Sequence, residues 1–81
     1  MAKELLDLHG FKIDDVIAAV DRFLTQANAA ELDKVRIMTG KGTGAVQKQV
    51  IQLLKQAHYS WKFEKLANGK PNEGVLVVHL G

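Results

Sequence analysis

Cysteine is missing from all 81 residues, so neither a disulfide framework nor a thiolate metal site can supply stability or chemistry. The usual mark of a small extracellular domain is therefore missing too, and a cytoplasmic location is the expectation. No long apolar run is present: the chain opens Met1-Ala2-Lys3-Glu4 and its first apolar stretch is broken by Asp7 and His9. That pattern fits neither a signal peptide nor a membrane span, so no membrane partner is expected. Linkers, repeats and low-complexity segments are equally lacking. A chain of this length has room for one core, burying roughly 60% of its unfolded surface, and residues 1–81 read as a single domain.

An excess of charge of one sign is lacking, with a formal net of +2, too little to require a polyanionic partner. Its distribution is uneven. Residues 1–40 hold five basic and seven acidic side chains, and residues 41–81 hold six basic and two acidic.

What is present is organised by period. Leu5 to His9 alternates as a short strand, with Leu6 and Leu8 on one face, and Gly10 ends it. From Asp14 to Asn28 the apolar positions Val16, Val20, Phe23, Leu24 and Ala27 keep helical spacing, with Asp14 and Asp15 at the positive end of the dipole. Val35 to Met38 is a branched strand, and Val46, Val50, Leu53, Leu54 and Ala57 repeat the helical stripe. Tyr59, Trp61 and Phe63 alternate with polar residues as a strand with one wet face; the shared aromatic face either stacks on unpaired bases or, as expected first, forms the core under the helices. Residues 68–74 carry turn chemistry, and Val75 to Leu80 is an apolar strand. The order is βαβαββ.

A strand, a helix and a second strand most often form parallel neighbours with a right-handed crossover. His9-Gly10 and Thr39-Gly40 then share one sheet edge, the place where open α/β sheets bind ligands. Gly40, Gly42 and Gly44 are expected to let backbone N–H groups face a ligand, at the start of the second helix, with Lys41 adding charge and Lys12 near the other loop. Such an edge favours an anion, phosphate first. The spacing GxGxG is neither GxxxxGK[ST], since Ala45 follows Gly44, nor GxGxxG, which sets a nucleotide cofactor aside.

Together, LDLHG at positions 6–10 and VRIMTGKGTG at 35–44, followed by an amphipathic helix and a closing VLVVHL, resemble the Smr (small MutS-related) domain family over essentially the whole chain. The resemblance implies a two-layer α/β sandwich, a four-stranded mixed sheet with two helices, similar to the C-terminal domain of the third bacterial translation initiation factor. It also implies contact with DNA or RNA. The family includes DNA-nicking and RNA-cleaving endonucleases, stand-alone or at the C-terminus of a MutS paralogue, linked to recombination suppression or to rescue of stalled ribosomes. Leu6, Asp7 and His9 match its first motif, and Thr39, Gly40 and Gly42 its second, here in the threonine form where other members carry histidine.

Phosphodiester hydrolysis needs an activated water, charge stabilisation at the phosphoryl oxygens and help for the leaving oxygen. His9 is the candidate general acid or base and Asp7 its orienting partner or the ligand of a hydrated Mg²⁺, with no cofactor required by the sequence. Lys12, Thr39, Gly40, Lys41, Gly42, Thr43, Gly44 and Lys48 are the candidate phosphate-binding residues, with Lys62 and Lys65 as further members of a basic track. A two-metal centre asks for several convergent carboxylates, and Asp14 and Asp15 are better explained by the helix start. The alternative is a non-catalytic DNA-, RNA- or ribosome-binding module serving a larger MutS-like ATPase. His58 and His79 are read as structural, the first at a helix–strand junction and the second within the sheet. No element resembles a base-reading helix, so recognition by backbone and shape is expected.

Overall fold

The computed structural model describes residues 4–40 and 44–80. Its elements are β1 (Leu5–Asp7), α1 (Ile13–Ala29), β2 (Lys34–Met38), α2 (Ala45–Gln56), β3 (Ser60–Lys65) and β4 (Pro71–His79). The strands form a four-stranded mixed sheet in the order β1-β2-β4-β3. β1 and β2 are parallel, while β4 runs antiparallel to both β2 and β3.

Alternation decides which side of the sheet is covered. On β2 and β4, Val35, Ile37, Leu76 and Val78 are at most 1% exposed, and their registers pair Val35 with Val78 and Ile37 with Leu76. Val16, Val20, Phe23, Leu24 and Ala27 of α1 and Val50 and Leu54 of α2 complete this core, as the helical spacing predicts. Tyr59, Trp61 and Phe63 are half-buried against the same cluster, and the Trp61 and Phe63 rings meet edge to face at 5.3 Å. The aromatic strand face thus packs under the helices. Among the described residues, no helix is long and apolar enough to cross a membrane.

Both helices end in a Schellman arrangement with a non-glycine residue in the left-handed position. Leu32 N–H donates to the Ala27 carbonyl and Glu31 N–H to that of Asn28, with Glu31 at φ 58°. Tyr59 N–H donates to Leu54 and His58 N–H to Lys55, with His58 at φ 61°. The terminal carbonyls are satisfied, at a backbone cost that glycine would avoid. Asn28 fastens the two ends together, donating from Nδ2 to the Tyr59 hydroxyl at 2.8 Å.

Two boundaries differ from the periodicity. β1 stops at Asp7 rather than His9, because His9 and Gly10 are taken up by a turn. β4 begins at Pro71, four residues before the apolar run, and carries an irregularity there: Phe63 pairs with Leu76, yet Glu64 pairs with Asn72. Residues 73–75 bulge out of the β3–β4 ladder, while Val75 stays paired with Met38 of β2. A bulge lets polar turn residues lie inside a strand, which apolar alternation cannot reveal.

Candidate functional site

Parallel pairing of β1 and β2 builds the site. Leu6 lies opposite Ile37 and Asp7 opposite Met38, and Leu8 N–H still donates to the Met38 carbonyl at 2.9 Å. The next residues, His9-Gly10 and Thr39-Gly40, therefore leave the sheet side by side. The two motifs, some thirty residues apart in sequence, meet at one rim as the crossover requires.

The first loop is a tight turn closed by Phe11 N–H donating to the Leu8 carbonyl at 3.0 Å. Gly10 sits in it at φ +81°, a conformation that side chains resist. Asp7 accepts from the backbone N–H of His9 at 2.8 Å. The carboxylate thus fixes the turn that presents His9, acting through the main chain and not through the ring. His9 is exposed, and its imidazole makes no hydrogen bond among the described residues. Lys12, exposed, caps the start of α1 in extended conformation.

The second loop departs from the expectation that its amides face a ligand. Thr39 N–H and Gly40 N–H both donate to the Gly74 carbonyl, at 2.8 and 3.2 Å. The Thr39 hydroxyl lies 3.4 Å from the same carbonyl and from that of Gly40. The Gly40 amide is consequently engaged within the protein and is not an oxyanion donor. Its partner comes from the β4 bulge, where Asn72 Oδ1 accepts from Gly74 N–H at 3.1 Å. Gln47 on α2 donates to the neighbouring Glu73 carbonyl. This brace of Gln47, Asn72 and Gly74 escaped the sequence reading. Its signal is Asn two residues before Gly, the spacing of an Asx turn.

Lys41, Gly42 and Thr43 lie outside the described residues. Gly44 follows them, exposed, at φ +81° as the N-cap of α2. A Cβ there would meet nothing within 4 Å, so the demand for glycine is one of conformation and not of space. Lys48, exposed, lies one turn into the helix and donates its N–H to the Gly44 carbonyl at 2.9 Å. With no acidic residue in the first turn of α2, nothing there offsets the positive end of its dipole.

Among the described residues, no group of three His, Cys, Asp or Glu side chains converges to hold a metal. Asp7 is the carboxylate placed at the rim, one oxygen already committed to His9 N–H. Asp14 and Asp15 occupy the first turn of α1, where the dipole accounts for them. His79 ends β4 on the open side of the sheet, and His58 terminates α2.

The comparisons with known proteins agree with this architecture. The Smr domain family model matches residues 6–81. The chain is 45% identical over 78 residues to Endonuclease MutS2 of Staphylococcus saprophyticus, covering 93% of this chain and 10% of that protein. It is 42% identical over 73 residues to Endonuclease MutS2 of Staphylococcus carnosus, covering 90% and 9%. The chain thus spans about a tenth of the curated relatives it matches. Among solved structures, the Smr domain of Thermus thermophilus MutS2 superposes with a TM-score of 0.81 at 31% identity, over 96% of this chain and 98% of that one. YdaL, a stand-alone small MutS-related protein from Escherichia coli, shares the fold with a TM-score of 0.82 at 24% identity, over 95% and 63%. With both motifs at one rim and the match running from Leu6 to the C-terminal glycine, this chain is a member of the Smr domain family.

Proposed function

We propose that this chain is a nucleic-acid-binding domain that cleaves phosphodiester bonds at the rim formed by the β1 and β2 loops, recognising backbone and shape rather than sequence. The observation that carries the reading is the parallel register of β1 and β2, which brings LDLHG beside Thr39-Gly40 in a chain similar to the Smr segment of proteins named Endonuclease MutS2.

In this scheme a backbone phosphate sits against the start of α2, where the helix dipole and Lys48 favour negative charge, with Lys12 at the start of α1 beside the first loop. Lys41, Gly42 and Thr43, outside the described residues, are proposed as phosphate contacts from the sequence alone. His9 transfers the proton, taking it from the attacking water or giving it to the leaving oxygen. Asp7 holds the turn that aims His9. A hydrated Mg²⁺ needs just one or two protein carboxylates when substrate phosphates complete its shell. Asp7 would be its ligand here, and the ion would supply charge neutralisation at the phosphate.

The engaged Gly40 amide and the threonine in place of a second histidine favour, as the second reading, a binding module that delivers the activity of a larger MutS-like ATPase to DNA, RNA or a ribosome. Cleavage separates the two. The 81-residue chain is expected to nick supercoiled plasmid or cut hairpin RNA, with activity falling about a hundredfold or more in His9→Ala while affinity stays within roughly twofold, as expected of a proton-transfer residue. Binding with every substrate left whole, with and without Mg²⁺, would sink the enzyme and keep the module.

A further inference from the structure

The helices cover one face of the sheet, and the other is open. Alternation gives that open face the residues between the core positions, and the ladder aligns them in rungs: Lys34 beside His79, and Arg36 beside Val77 beside Lys62. These side chains line a shallow groove of about 550 Å³ that also takes in Lys65, Glu4 and Glu64. Four permanent cations therefore face two carboxylates. One of those carboxylates is already committed: Arg36 reaches across β4 to Glu64, Nη1 to Oε1 3.0 Å, with Arg36 exposed and Glu64 half-buried. Lys34 and Lys62 are exposed, and no ion pair holds either of them among the described residues.

We infer that this open face is a second anion-binding surface, a track for the sugar–phosphate backbone of the strand whose phosphate the rim engages. The inference rests on the nucleic-acid reading above and adds a surface to it. Its geometry comes from β2, which carries Lys34 and Arg36 about 7 Å apart and then runs through Met38 into Thr39 and Gly40. A backbone lying along β2 runs from the basic face towards the sheet edge where Thr39 and Gly40 emerge, and rounds that edge to reach the start of α2. Lys62 flanks it two strands over, about 10 Å away. The face is assigned phosphates rather than bases: Phe63 borders the groove, but both Trp61 and Phe63 are half-buried against the core, which leaves no fully exposed ring of the kind that single-strand platforms use for stacking. Glu64 acts as a competitor for Arg36, which the phosphate must displace.

That competition supplies the sharpest test. Binding of the full 81-residue chain to fluorescein-labelled single-stranded DNA, its RNA equivalent and a duplex would be followed by anisotropy across a salt series, with folding checked by circular dichroism. Lys34→Ala/Lys62→Ala should lower the slope of log affinity against log salt by about two at most, near 0.9 per duplex phosphate and 0.7 per single-strand phosphate lost. Glu64→Gln should tighten binding about two- to fivefold, the strength of an exposed ion pair released. Parallel results on the three probes would assign the face to the shared phosphate backbone, and the probe bound most tightly would name the source. An unchanged slope in the double variant, or weaker binding by Glu64→Gln, overturns the track; if Lys48→Ala still weakens binding, the rim reading survives that loss. Failure of the wild-type chain to bind any probe overturns the nucleic-acid reading itself, and the track with it.

Discussion

The two faces of the sheet are made by the same residues' neighbours, one step apart along each strand, yet they obey different rules. On the covered face Val35, Ile37, Leu76 and Val78 are sealed from solvent, so shape and apolar area decide what fits. On the open face Lys34, Arg36 and Lys62 stand among water and carboxylates, where size matters little and charge matters a good deal. Because successive side chains alternate, a slip of one residue would exchange the two sets. The core therefore fixes the register that arranges the cations, and the rim where β1 and β2 end inherits the same register.

Stability should divide sharply along that line. Leu76→Ala on the covered face is expected to lose about 2–5 kcal/mol, whereas Lys62→Ala, one position before the Phe63 that pairs with Leu76, should stay within about 0.5 kcal/mol. Urea denaturation of both variants measures the difference, and similar losses would break the comparison. The rim should respond at an intermediate level. Asn72→Ala removes the acceptor of Gly74 N–H, with an expected cost of about 1 kcal/mol and faster hydrogen exchange at the Thr39 and Gly40 amides that lean on Gly74. Exchange unchanged at those two amides would show that the bulge does not brace the loop. A stabilising effect belongs to neither face. His58→Gly relieves a left-handed backbone position at the end of α2 and should raise stability by at most about 1 kcal/mol, the αL cost less the entropy of glycine, visible as a small rise in Tm.

Much of this was legible in the sequence, because it depends on period. The stripe Val16, Val20, Phe23, Leu24 and Ala27 needed a helix face, the alternation from Tyr59 to Phe63 needed a strand with one wet side, and a β-α-β order made β1 and β2 parallel. The meeting of His9 with Thr39-Gly40 followed from topology. What stayed hidden was made of backbone hydrogen bonds between distant segments. Gly40 looks in sequence like an amide laid bare for a ligand, and in the fold it gives that amide to Gly74. Asn72 to Gly74 reads as a turn and serves as a bulge within β4. The Arg36–Glu64 pair joins residues on non-adjacent strands, a contact set by the strand order and by no local pattern.

We propose that nucleic acid meets this domain where the β1 and β2 loops emerge beside the start of α2. Titrating the ¹⁵N-labelled chain with a short oligonucleotide and following amide chemical shifts tests it most directly. Concentration-dependent shifts at His9, Gly10, Gly44 and Lys48 are the result expected. Saturable binding that leaves those amides in place, and moves instead the outer surface of the helices around Ile17 and Gln52, would contradict it.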